Sequence, residues 1–120
     1  MEKNIPSSKP YQNTHTLEAW QLIQKSQKIT LLTHASPDAD GMAACAAMAL
    51  VLQKRNKSVE TIYPTKPDTL FRRQPATVFI NKHTQIPDLI INFDTANYDR
   101  LYYPEIFKNI PLINIDHHIS

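Results

Sequence analysis

Three short stretches of the chain hold the residues best suited to chemistry. The first is His34-Ala35-Ser36-Pro37-Asp38-Ala39-Asp40, which follows the apolar run Ile29–Thr33. The second is Asn92-Phe93-Asp94-Thr95, in which Asp94 closes the run Leu89–Phe93. The third is Ile115-Asp116-His117-His118, which follows Leu112–Ile115. Brought together, four carboxylates would repel and raise one another's pKa values unless cations lay between them. Divalent metals remove that penalty. Carboxylate and imidazole ligands suit Mn, Zn, Fe or Mg, and a lone cysteine, Cys45, argues against a structural zinc site. The seven side chains are more than one ion needs, which points to a pair. Two ions about 3.5–4 Å apart activate water and stabilise both oxygens of an in-line phosphoryl displacement.

Each stretch also has a plainer reading. Ser36-Pro37-Asp38 is a good helix start, with a serine cap, proline at the first position and an acid in the first turn. Asp94, alone after a strand, is a common turn residue. Adjacent histidines after an apolar strand, as in Asp116-His117-His118, are rare without a metal or phosphate to meet. The three stretches together, each at a strand end, favour the metal. Elsewhere the plain reading stands: His15 and His83 as solvated, Cys45 as a small core residue, and Arg72-Arg73 as a solvated charge pair.

The elements that must position these residues follow from periodicity. Leu17, Trp20 and Ile23, with Ala19 and Leu22, give an amphipathic helix over 16–27. Ile29–Thr33 is β-branched and apolar and reads as a buried strand, with a loop over 34–41 behind it. Met42–Arg55, rich in Ala, Met and Leu, is a helix whose basic end suits its C-terminus. Val59–Tyr63, Leu89–Phe93 and Leu112–Ile115 read as further strands, and Val78–Ile80 as a short apolar run. The stretch 64–75 reads as loop, and 98–107 as a helix interrupted by Pro104. Strands alternating with helices, and apolar on both faces, imply an α/β fold: a parallel sheet with helices on both faces. In such sheets ligands bind beyond the carboxyl ends of the strands, so all seven side chains are expected at one edge.

Composition sets the outer bounds. A chain of 120 residues is one domain at most. Its 42% hydrophobic and 20% charged residues are ordinary for a globular protein. A net charge of +2 is too mild to argue for duplex nucleic acid. No apolar run approaches the length of a membrane span, and the polar start, Met1–Asn13, lacks the apolar stretch of a secretory signal, so a cytoplasmic protein with no membrane partner is expected. Residues 1–13 read as a flexible leader. Average usage of about 7% glycine predicts roughly 8 in such a chain. There is one, Gly41, inside the first stretch.

The motif His34…Pro37-Asp38-Ala39-Asp40, the strand-closing Asp94 and the trio Asp116-His117-His118 resemble, in order and strand-end context, the first three motifs of the DHH-family phosphoesterases. That family includes single-strand exonucleases of the RecJ type, nano-RNases that also dephosphorylate pAp, cyclic-dinucleotide phosphodiesterases and the family II inorganic pyrophosphatases. The resemblance implies a cofactor of two divalent ions, usually Mn2+. His34 and Asp38 would hold the first, Asp40 and His117 the second, and Asp94 would bridge them. Asp116 would orient the histidine ligand, and His118 would face the phosphate, so Asp94, Asp116 and His118 carry the catalysis. Residues 14–120 would then be the N-terminal part of a DHH domain, ending after the third motif. The fourth-motif aspartate and a C-terminal substrate domain are expected further on, and the 120 residues alone are expected to be nearly inactive.

The implied activity is hydrolysis of phosphodiester or phosphomonoester bonds in short single-stranded oligonucleotides or small nucleotides, by a protein that is a homodimer in its longer form. A family II-type pyrophosphatase is the nearest alternative. A module that has kept its motifs but lost activity, or a partial chain with no function of its own, are the others. Many nano-RNase-like members carry Gly-Ser a few residues after the second aspartate of the first motif. Here Gly41 follows Asp40 at once, then Met42-Ala43-Ala44, which leaves the subfamily open.

Overall fold

A computed structural model of the chain describes residues 13–33, 39–66, 77–93 and 102–115. The expected parallel sheet is present. Its strands are β1 (Lys28–Thr33), β2 (Ser58–Tyr63), β3 (Thr77–Ile80), β4 (Leu89–Phe93) and β5 (Leu112–Ile115), in the order β3-β2-β1-β4-β5. All four pairings are parallel. The short run at 78–80 is thus a true strand. It lies on the open side of β2, and its ends, Thr77 and Ile80, are exposed, as an edge position allows.

The central strands are apolar on both faces because both faces are covered. On one face Ile29, Leu31, Leu89, Ile91, Phe93 and Tyr63 pack beneath two helices. These are α1 (Asn13–Lys25) and α2 (Ala39–Lys54), which contribute Ile23 and Met42, Cys45, Ala49 and Leu52. On the other face Leu32, Ile62 and Ile90 are covered by Phe107 of a 3-10 turn, Glu105–Phe107, with Tyr102, Tyr103, Ile110 and Leu112 around it.

Some elements depart from the periodicity reading. The first helix starts at Asn13, three residues before its expected start at Thr16. Of its expected apolar face, only Ile23 is fully buried, while Trp20 stays partly exposed with the Arg55 guanidinium 4.8 Å over its ring. The second helix starts at Ala39, so Asp40 and Gly41 belong to its first turn and not to a loop. The helix expected over 98–107 is reduced to the turn at 105–107, residues 98–101 lying outside the described ones. Pro104 is extended (φ −66, ψ 160) and disfavours helical Tyr103 before it. His83, expected to be solvated, is half-buried: its Nδ1 lies 2.7 Å from the Tyr102 hydroxyl and its ring packs on Phe107. No described helix is long and apolar enough to cross a membrane.

Glycine scarcity is met by asparagine. Asn56 (φ 63) and Asn81 (φ 54) take the left-handed conformations, for which asparagine pays less than other side chains. Asn56 closes α2: its own N–H reaches the Gln53 carbonyl at 2.9 Å, and the next N–H, of Lys57, reaches that of Leu52 at 3.1 Å. That pair of bonds is a Schellman cap. Asn81 turns the chain out of β3, and the following segment runs back over the sheet to start β4 on the far side of β1. On the way the Thr84 N–H and hydroxyl both donate to Glu60 Oε2, the former at 2.8 Å.

Asp88 locks the end of that return. Its Oδ2 accepts from the N–H groups of Gln27 (2.7 Å) and Lys28 (2.9 Å), and its own N–H reaches the Lys28 carbonyl at 2.7 Å. The two backbone donors hold its pKa below the ordinary value of 3.8. A lowered carboxylate pKa contributes stability above the unfolded value and loses it as pH falls through the folded one. Asp88→Asn should therefore cost modestly at neutral pH, and its urea midpoint should fall less steeply than that of the unsubstituted chain below about pH 4. Parallel acid limbs for the two chains would show that the carboxylate charge is unimportant there.

Candidate functional site

The pairing register fixes where the three motifs leave the sheet. Thr33 of β1 is the Cα partner of Phe93 in β4, and Phe93 is the partner of Ile115 in β5. The last residues of three adjacent strands therefore lie in one row. With strands about 4.8 Å apart, that row spans about 10 Å. The next residues in the sequence are His34, Asp94 and Asp116.

The strand order gives this row its meaning. From β1 the chain moves outward through β2 to β3, then returns to place β4 and β5 on the other side. The direction of winding reverses between β1 and β4. In open α/β sheets the ligand crevice lies at such a reversal, beyond the carboxyl ends. Both strands flanking it lead into a candidate motif. Helix α2 follows β1 after a short connection, so its N-terminal end, with the positive end of its dipole, belongs to the same edge.

Two side-chain bonds hold the row together. The buried Thr33 hydroxyl donates to the Phe93 carbonyl at 3.2 Å, joining β1 to β4. The Asn92 amide donates to Asn114 Oδ1 at 2.8 Å, joining β4 to β5. Asn92 and Phe93 fall inside the second motif, but none of these four positions was given a role from the sequence. The signal was present in Asn92, a polar residue within an otherwise apolar buried run, Leu89-Ile90-Ile91-Asn92-Phe93.

Of the expected ligands, Asp40 lies in the first turn of α2. His34, Asp38, Asp94, Asp116, His117 and His118 lie outside the described residues, as do residues 1–12 of the expected leader and Arg72-Arg73. Among the described residues no group of three His, Cys, Asp or Glu is placed to hold a metal. The candidate donor set is thus that of the motifs, carboxylates and imidazoles following the row, a composition that fits hard to borderline divalent ions.

Cys45 is confirmed as a core residue. It is fully buried on the sheet-facing side of α2 with its Sγ 3.9 Å from the Leu32 carbonyl. Burial pushes its thiol up to about 12, so the thiolate needed for nucleophilic work is suppressed. Tyr63, level with Thr33 in the sheet, is likewise shifted upward, first by burial and then by the neighbouring Cys45.

The sheet order and its covered faces define a doubly wound α/β domain with its ligand edge at the β1–β4 reversal. The chain belongs to the DHH family: residues 28–120 match the DHH family, N-terminal domain. No curated protein matches the sequence. Among solved structures the chain is similar to that of an exopolyphosphatase-related protein from Bacteroides fragilis, with a TM-score of 0.71 and 23% identity. The similarity covers 91% of this chain and 36% of the other, so the chain spans little more than a third of that neighbour's length. At this identity the likeness establishes the fold.

Proposed function

We infer that this domain supplies the sheet-borne part of a divalent-metal phosphoesterase site, acting on phosphodiester or phosphomonoester bonds of short oligonucleotides or small nucleotides such as pAp. The observation that carries the reading is the row Thr33–Phe93–Ile115, level across three parallel strands at the winding reversal. Each member is followed at once by a motif of the family to which the chain belongs.

His34 and Asp38 would hold one ion, Asp40 and His117 a second, and Asp94 both. Bound there, two divalent ions, manganese by the family resemblance, would lower the pKa of water and offset charge developing on the phosphoryl oxygens. Asp116 would fix the tautomer and orientation of its histidine neighbour, as partners of metal-bound histidines do. His118 would hold the substrate phosphate. The strand ends contribute rigidity: the backbone up to positions 33, 93 and 115 is fixed by the ladder, so ligands attached there start from set points.

The neighbour's printed description, exopolyphosphatase-related, favours a second reading in which the cleaved bond is a phosphoanhydride. The same metals and the same edge would serve it, the difference lying in which phosphate chain is held.

Calorimetric titration of the 120-residue chain with manganese, beside assays of a longer protein carrying this domain on dinucleotides, pAp and pyrophosphate, tests both readings. Manganese should bind, with one tighter site and one weaker, because the family's fourth aspartate ligand is not among these residues. Manganese-dependent release of nucleotide from dinucleotides or of phosphate from pAp is the expected activity. Hydrolysis confined to pyrophosphate or longer polyphosphate would transfer the assignment to the second reading, and absence of any manganese binding would remove both.

A further inference from the structure

Asn92 is fully buried in a strand whose other members are apolar or aromatic. Burying an amide costs free energy, and only part of that cost is recovered here. The Nδ2 group donates to Asn114 Oδ1 at 2.8 Å, while Oδ1 finds no hydrogen-bond partner among the described residues. A leucine at this position would pack at no such cost. The amide therefore calls for a reason other than stability.

The reason lies in what the remaining pairs cannot do. The rows joining β4 to β5 are Ile90↔Leu112, Ile91↔Ile113, Asn92↔Asn114 and Phe93↔Ile115. Apart from the asparagine row these are apolar pairs of similar size. Sliding β5 by two residues keeps every side chain on its own face and exchanges one aliphatic neighbour for another. It also moves the end of β5 by about 6.6 Å, two strand rises. Only the asparagine row opposes that slide, because displaced it would leave a buried amide unpaired at a cost of about 1–3 kcal/mol.

We propose that the Asn92–Asn114 amide pair is a register clamp whose task is to set the level at which Asp94 and Asp116 leave the sheet. Both asparagines stand two residues before an aspartate of the candidate site, so the clamp acts at the same offset on two motifs. Metal–ligand distances are held to about 0.2 Å, and a strand displaced by a whole row cannot meet that demand. Asn92 and Asn114 are positioning residues. They touch neither metal nor substrate and act through the strands that carry the ligands. The inference rests on the metal-site reading given above.

Asn92→Leu, Asn114→Leu and the double variant of the 120-residue chain separate this role from a structural one. Asn114→Leu strands the buried Asn92 amide and should lower the urea midpoint, whereas Asn92→Leu leaves only the exposed Asn114, which water satisfies, and should keep or raise it. The double change removes both amides and should restore or exceed the original stability. Manganese affinity should nevertheless remain about 10-fold or more below that of the unsubstituted chain. Nuclear Overhauser contacts between β4 and β5 should report more than one pairing in the double variant. Asn114 is exposed, so Asn114→Leu keeps the test alive should the variants at position 92 fail to fold. A double variant that keeps the single native register and binds manganese as tightly as the original would overturn the clamp. If the unsubstituted chain binds no manganese, the metal-site reading fails instead, and the contacts alone decide: mixed pairing in the double variant supports the clamp, and one native pairing removes it.

Discussion

Asp94→Ala is expected to abolish the proposed manganese-dependent turnover of a longer protein carrying this domain and to leave the fold in place. Asp94 follows in sequence Phe93, the middle member of the level row, whose strand lies between the strands that lead to His34 and Asp116. It is the one residue in the proposed ligand set shared by both ions. Losing it should remove several kcal/mol of transition-state stabilisation. At about 1.4 kcal/mol per decade, kcat should fall at least about 1000-fold, with no compensating change in KM. The metal-free protein should behave in the opposite sense. Removing one carboxylate from a cluster of like charges relieves repulsion, so the apo variant should melt at or above the temperature of the parent. Manganese at about 100 times its Kd should stabilise the parent by about 2.7 kcal/mol and the variant by far less. Equal manganese-dependent stabilisation of the two chains would show that Asp94 is the turn residue of its plainer reading.

The sheet was legible in the sequence because its strands are buried on both faces. Ile29–Thr33, Leu89–Phe93 and Leu112–Ile115 stand out as short, β-branched, apolar runs against polar surroundings, and all three are strands. β3 carried a weaker signal for a physical reason. An edge strand has fewer neighbours to bury it, and two of its four residues stay exposed, so its composition is under less constraint. The cover on the Phe107 face was expected to be a helix over 98–107 interrupted by Pro104, and of its described part only Glu105–Phe107 is helical, as a 3-10 turn. The extended Pro104 disfavours a helical Tyr103 before it. For the site, the motifs were visible as residue types, and the edge followed from parallel topology. What no residue type announces is register. The level of Thr33, Phe93 and Ile115, and the Asn92–Asn114 bond that holds part of it, depend on pairing between segments about 20 to 60 positions apart. His83 shows the same limit. Its burial comes from Tyr102 and Phe107, some 20 residues further along, and nothing local to His83 foretells it.

The sheet face opposite the α-helices depends on one side chain to a degree that predicts a large stability loss. Among the described residues Phe107 is the fully buried member of that face supplied from outside the sheet, where it covers Leu32, Ile62 and Ile90. Three rings lean on it: His83 with centroids 5.2 Å apart, Tyr103 at 6.0 Å and Tyr102 at 6.2 Å, the two tyrosines nearly edge-on. Tyr103 also donates its hydroxyl to the Phe107 carbonyl at 3.3 Å. The surrounding sheet is held by its ladder and cannot collapse into the space a smaller residue would leave. Phe107→Ala should therefore cost about 3–5 kcal/mol, the range for large-to-small changes at sites that relax little. Set against a total stability on the order of 5–15 kcal/mol, that loss should leave a substantial unfolded fraction near physiological temperature. Phe107→Leu keeps most of the volume but loses the ring contacts, each worth about 0.5–1.5 kcal/mol. It should fall between the parent and the alanine variant. Urea unfolding followed by far-ultraviolet circular dichroism gives the three midpoints. The His83 contact adds a second readout, since truncating the ring should open His83 to solvent and speed the exchange of its ring N–H with water in proton spectra. A midpoint for Phe107→Ala within about 0.5 kcal/mol of the parent, the range of ordinary surface changes, would mean that this turn is not what seals the face.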